Sequence, residues 1–452
     1  MFQIIQDLIG NAVVSSGVSY EALCAILISS LFVIMIIGLV AGQELAFVLG
    51  GAGIIIGVIA WGGSGLNIAA TKIYDQMQSY SMVAIPMFVL MANFLTHSKV
   101  ADGLFLSIRY LLGPLKGGLG LAVIVVSTIF AATTGIVGAS VVTMGMLSMP
   151  ILLKCGYDHR LAAGMVCAGG SLGILIPPSI MLVTMGSYAE VSVGKLFFAA
   201  LIPGLLLAAC YAIYIIIICH IHPEYGPAMS EEELAEMPLK QRIVGSLVNL
   251  IPPLLLILGV LGSIFSGIAT PTEAAGVGAL VALILAICYK QFSWKMLYDS
   301  VIDTAKTSAM VFIILFGAAA FTGIFMSLDG DVIITNFVMS LGVGRLGALA
   351  IMLILVFIMG MFIDWIGIVA IVVPIFLPIL TDMGFDIPCH LLHQRMIHDL
   401  LCGRQIFLPF TQHIQIPKKQ AQIASVHDLT DSAVLDIIPC LLYTSPSPRD
   451  CS

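Results

Sequence analysis

Apolar runs of membrane-spanning length follow one another from residue 22 to residue 382, with short polar stretches between them. A crossing takes about 20 mostly apolar residues. By that measure segments fall at 22–42, 44–62, 80–96, 119–135, 136–153, 160–187, 196–219, 247–267, 272–289, 305–327, 346–362 and 366–382. Several are short or interrupted by Gly and Pro, which predicts half-helices or re-entrant hairpins among the full crossings. Irregular backbone survives at membrane depth only inside protein or around a wet cavity. The pattern predicts an all-α polytopic membrane protein.

The decapeptide Met149–Asp158 (MPILLKCGYD) recurs 228 positions later as Leu377–Asp386 (LPILTDMGFD), with five positions identical. A long-period repeat in such a chain predicts a transporter built from two related halves. The first half is expected at 1–220, a polar linker at 221–246 and the second half at 247–386. The linker stretch His222–Arg242 (HPEYGPAMSEEELAEMPLKQR) reads as a solvated loop with an acidic run typical of an exposed helix.

Composition narrows the class. With 60 % apolar and 10 % charged residues and a mean hydropathy of +1.11, an ordinary soluble domain is excluded. The net charge of −7 says little about orientation, which follows Lys and Arg in short loops. Lys99, Arg109 and Lys116 put the loop between the third and fourth segments on the cytoplasmic side. No nucleic-acid partner is expected. The ten cysteines include no CxxC pair and read as small core residues, and the first 20 residues lack the pattern of a cleavable leader.

From about Pro388 the membrane character stops: the last 65 residues hold five of nine histidines and one of 44 glycines. The closing string Cys440–Asp450 (CLLYTSPSPRD) resembles translated adapter or vector sequence, so 387–452 is expected to be a frame-shift or adapter artefact, with a genuine soluble tail as the alternative. His390, His393 and His398 therefore carry no metal-site expectation.

Three motifs could carry chemistry. In Phe130–Pro150, Thr133, Thr134, Gly135, Gly138, Ser140 and Thr143 gather between two apolar arms. A turn there would present carbonyls and hydroxyls, which are oxygen ligands for a hard cation; the same small residues also suit close helix packing. In Gly169–Ser179 (GGSLGILIPPS), Pro177 and Pro178 remove two amide donors and oppose a continuous helix. Half-helices meeting at such a break aim amides at anions and carbonyls at cations; a proline kink without a ligand is the alternative. In Phe357–Pro378, Asp364 lies within an apolar run, and an intramembrane carboxylate is a functional suspect, although a carboxylate at the water boundary would look the same. Separately, Thr270, Pro271 and Glu273 have the spacing of a capping box, a structural feature.

Taken together, ATTGIVGASVVTMG, KCGYDHRLAAG, GGSLGILIPPSIM, VGKLFFAALIPGLLLA and GIATPTEAAGVGA resemble the large membrane subunit of TRAP transporters, the DctM-like permeases, over roughly residues 20–386. The resemblance implies two inverted repeats, each with a re-entrant hairpin and an unwound helix, working as an elevator. It implies sodium-coupled import of organic acids across a bacterial inner membrane, with no other cofactor and no enzymatic activity. The implied partners are a small four-helix membrane subunit and an extracytoplasmic substrate-binding protein. Carried over by position, Thr133, Thr134, Gly135, Ser140, Gly170 and Ser171 would bind sodium. Gly173, Pro177, Pro178, Ser179 and Asp364 would line the substrate cavity. A second break is expected 228 residues after the first, yet Ile397–Phe407 (IHDLLCGRQIF) has no double proline, so the second repeat is expected to be incomplete and the chain inactive alone.

Other classes compete. A divalent-anion sodium symporter of similar hairpin plan would need no binding protein. A passive channel would lack coupling-ion sites. An intramembrane enzyme would need a motif such as HExxH or paired acidic clusters, and neither appears.

Overall fold

The computed structural model describes residues 20–98, 100–135, 137–189, 191–230, 234, 238–340, 342, 344–360 and 365–382. Among these, the ordered elements are sixteen α-helices and one 3-10 turn. In chain order the helices are α1 (Tyr20–Val40), α2 (Leu45–Trp61), α3 (Gly63–Met77), then, after the 3-10 turn Tyr80–Val83, α4 (Ala84–His97), α5 (Val100–Leu112), α6 (Gly118–Thr134), α7 (Val137–Lys154) and α8 (His159–Leu175). There follow α9 (Ile180–Tyr188), α10 (Val193–Ile221), α11 (Leu239–Phe265), α12 (Pro271–Cys288), α13 (Trp294–Ser327), α14 (Gly330–Ser340), α15 (Arg345–Met359) and α16 (Trp365–Asp382). Asp364, the end of the second decapeptide and the stretch 387–452 lie outside the described residues.

Among the described residues six helices are long and apolar enough to cross a membrane, α8 and α9 form a bent pair, and five shorter apolar helices accompany them. Their outward faces carry large apolar side chains such as Ile202, Leu206, Val248 and Leu255, each more than half exposed, as expected where lipid is the solvent. Three helices escaped the apolar-run reading: α3, α5 and α14. Each mixes polar with apolar positions, as in GSGLNIAATKIYDQM of α3, so no unbroken run marks it. The linker also differs from expectation. Pro238 precedes α11, which begins at Leu239, so residues 239–246 belong to a helix.

The rest of the linker is not wholly solvated. The Gly117 amide donates to the Gly226 carbonyl, the Met229 amide to Gly113 and the Asp158 amide to Tyr225. Met229 and Gly226 are buried. The segment thus straps the loop before α6 to the loop after α7. Tyr157 is enclosed beneath it, and burial pushes its phenol well above the ordinary tyrosine range.

Helix bounds recur at the repeat offset. Moving α7 by 228 positions gives 365–382, the bounds of α16; moving α2 gives 273–289, against 271–288 for α12. Likewise α5 falls on α14, α6 on α15, and the stretch 63–97 containing α3 and α4 on α13. The packing is reciprocal: α2 lies on α13, α12 lies on α4, and α13 runs against α3 and α4. Glycine permits these approaches. A Cβ at Gly317 of α13 would strike the Ala46 carbonyl of α2, and one at Gly278 of α12 would lie 2.7 Å from Met91 Sδ of α4. Two apolar cores result. One joins Phe88, Val89 and Phe197 to Ala275 and Ala279; the other joins Leu31, Leu49 and Ile56 to Phe321 and Phe325.

Candidate functional site

The first Gly/Thr motif forms the junction of α6 and α7, with only positions 135 and 136 between the helices. At 17 residues α6 is about 25 Å long, short of a hydrocarbon layer of about 30 Å. A turn between short arms is what small residues at its tip permit. Gly135 sits at φ +62°, a left-handed conformation that costs other residues energy.

The double-proline motif interrupts the next element. α8 ends at Leu175, α9 starts at Ile180, and the two axes meet at 40°. Ile176 and Ser179 are extended, and the Pro177–Pro178 bond is cis. With two prolines there are no amides to continue the helical ladder. Ser179 compensates in part: its buried hydroxyl donates to the Ile174 carbonyl at 2.6 Å. The first amides of α9 face this break and lack intrahelical partners until Val183, whose N–H reaches Ser179 O at 3.2 Å.

Turn and break meet. A Cβ placed on Gly135 would lie 3.0 Å from the Pro178 carbonyl oxygen and 3.3 Å from Ile180 N. Two motifs more than 40 positions apart in sequence thus form one polar junction inside apolar surroundings. α8 reaches it by wedging between the two arms. A Cβ at Gly169 would lie 2.5 Å from Ser127 Oγ on α6, and one at Gly170 would strike Val141 on α7.

The remaining candidates fall in or beside this junction. Thr133 is buried and donates to the Phe130 carbonyl at 2.6 Å; Ser171 donates to Ala168 at 2.9 Å. A hydroxyl that donates to its own helix keeps lone pairs for a cation. Ser140 is buried in the first turn of α7. Thr134 ends α6. Gly173, Pro177, Pro178 and Ser179 are all buried around the break. Asp364 lies outside the described residues, but the helix that follows it reaches the site. Val369 and Val373 of α16 pack with Met181 and Met185 of α9.

Sequence reasoning missed Ser127 and Val141, the residues against which the α8 glycines close. A lone Ser or Val in an apolar helix gives no signal of its own. Electrostatically the site is bare: between 118 and 153, and again between 161 and 189, the sequence holds no Asp, Glu, Lys or Arg. Among the described residues no three His, Cys, Asp or Glu side chains cluster as a metal site would need.

A multi-pass α-helical membrane protein with a short hairpin pressed onto a proline-broken helix defines the class. The crystal structure of the Alcanivorax borkumensis YdaH transporter shares this fold with a TM-score of 0.54, at 14 % identity, covering 84 % of this chain and 86 % of that one. The family follows from sequence. Residues 28–397 match the model of the DctM component of the tripartite ATP-independent periplasmic transporters, and the chain belongs to that family. The C4-dicarboxylate TRAP transporter large permease protein of Pseudomonas aeruginosa is 33 % identical over 323 residues, covering 71 % of this chain and 74 % of the relative. The isethionate TRAP transporter permease protein of Oleidesulfovibrio alaskensis is 30 % identical over 410 residues, covering 86 % of this chain and 62 % of its own length. These relatives are transporter permeases, not enzymes.

Proposed function

We propose that the chain is the large membrane subunit of a sodium-coupled importer of small organic anions in a bacterial inner membrane. It works with a small four-helix membrane subunit and takes substrate from an extracytoplasmic binding protein. The observation that carries this reading is the junction of Gly135 with Pro178–Ile180, formed without one charged side chain on the segments that build it. An anion at membrane depth needs its charge offset. The amides opening α9 face it from one side. Sodium held by hydroxyls of Thr133, Thr134, Ser140 and Ser171, with backbone oxygens near Gly135 and Gly170, supplies the rest. Pro177, Pro178 and Ser179 shape the anion pocket with Gly173, and Asp364 contributes from the second hairpin.

The two relatives described above are named for anions, C4-dicarboxylate and isethionate, which supports an organic-acid substrate. The recurring helix bounds and reciprocal packing support two inverted repeats whose site-bearing parts, α6–α9 and α15–α16, move as an elevator against the remaining helices.

The test is uptake of labelled C4-dicarboxylate and isethionate by proteoliposomes holding both partners and the chain with its second repeat completed. An inward sodium gradient should drive accumulation, and replacing sodium with choline should abolish it. Equal uptake in choline would reject the coupling, and uptake independent of the binding protein would favour a stand-alone symporter.

A further inference from the structure

The far end of α9 is tied down by two hydrogen bonds to other elements. Ser187 Oγ lies 3.0 Å from Ser79 Oγ, and Tyr188 OH donates to the Leu315 carbonyl at 3.1 Å. Ser79 caps the 3-10 turn between α3 and α4, and Leu315 is fully buried in the middle of α13. Tyr188 is the hub of this end: its ring packs against both large apolar cores and against the α9–α16 contact.

The turn that receives Ser187 is itself a departure from the repeat. Residues 78–83 break the helix between α3 and α4, whereas the matching residues 306–311 lie inside the unbroken α13. Pro86, the third residue of α4, lacks the amide that would bond helically back to residue 82, and the matching position is Ile314. The first half therefore contains two breaks, at 78–83 and at 176–179, and α9 connects them.

We propose that Ser187 and Tyr188 are positioning residues. They clamp the end of α9 to the 3-10 turn and to α13, hold the Pro177–Pro178 break against Gly135, and release once in each transport cycle. The proposal rests on the transport reading and names a moving contact within it. A helix of nine residues moves as a rod, so holding its far end sets the position of its near end. The polar contacts of the clamp are a hydroxyl pair and one phenol–carbonyl bond, each worth about 1 kcal/mol net and so weak enough to open and reform.

Hydroxyl oxygens 3.0 Å apart put the two Cβ atoms at most about 6 Å apart, so a cysteine pair at these positions probes the contact. The Ser79→Cys/Ser187→Cys double variant, assembled with its partners in proteoliposomes, should cross-link under mild oxidant and lose uptake to background. Reductant should restore uptake, and each single variant should ignore the oxidant. Failure of the pair to cross-link would overturn the contact, and undiminished uptake by the cross-linked form would overturn the release. A second measurement needs no uptake. Adding Tyr188→Phe, which removes only the hydroxyl, should slow cross-linking about fivefold, as expected for one net hydrogen bond. An unchanged rate would overturn the clamp whatever the protein carries, whereas absent uptake by the reduced form would count against the function alone.

Discussion

Residues 63–97 and 294–327 hold the same place in the two halves, yet one is two helices with a 3-10 turn between them and the other is a single helix of 34 residues. At about 51 Å α13 exceeds the hydrocarbon layer. Its first turns, with Lys295, Asp299, Asp303 and Lys306, extend beyond the apolar stretch. Lys306 and Asp303 pair at 3.8 Å across an exposed face. The broken partner instead places a turn with Gln78 and Ser79 beside α9. Two stretches 228 positions apart are thus a continuous strut in one place and an interrupted element in the other, with Pro86 of α4 matched by Ile314 of α13.

Introducing the break into the strut should have the largest effect. Ile314→Pro puts a proline inside α13, where the lost hydrogen bond and ring clash cost about 3 kcal/mol or more. Thermal unfolding of the purified protein should show that loss, and unchanged stability would mean that the continuous helix is not what distinguishes the halves.

At the joint between hairpin and broken helix the expected effect is smaller and falls on function. Gly135→Ala would place a side chain in a left-handed conformation at a cost of about 1–2 kcal/mol, and within 3.0 Å of the Pro178 carbonyl. Uptake should fall by more than the amount of folded protein does. If uptake per folded molecule stays at the parent level, the turn–break contact is not part of the site.

The smallest effect is expected in the second half, away from the site. Thr270 accepts the Glu273 amide, and the Glu273 carboxylate accepts the Thr270 amide at 2.8 Å, completing the capping box of α12. Thr270→Ala should cost about 1 kcal/mol of stability and leave uptake per folded molecule unchanged. A selective loss of uptake would give this cap a functional role.

Much of this organisation is legible in the chain itself. Apolar runs declare most membrane helices because lipid rewards composition over many consecutive residues. Pro177 and Pro178 declare a break because they lack amide donors. Thr270-Pro-Thr-Glu273 declares a helix start because a cap is satisfied within four residues. The polar helices α3, α5 and α14 stay hidden because neither a long apolar run nor a strong breaker marks them. The strap from Tyr225 to Met229 reads as an ordinary polar loop because backbone hydrogen bonds to distant loops leave no trace in side-chain chemistry.

By itself, then, the sequence determined a multi-pass membrane protein, a decapeptide recurring after 228 positions, the Gly/Thr turn and the double-proline break. Those depend on local chemistry: hydropathy, missing amides and permitted φ angles. Only the tertiary structure decided that Gly135 closes on Pro178, that the α8 glycines seat against Ser127 and Val141, and that Ser187 and Tyr188 tie α9 to Ser79 and Leu315. These are contacts between residues tens to more than a hundred positions apart. Their partners are chosen by which helix faces fit closely enough to exclude lipid, a property of packed surfaces that no single segment carries.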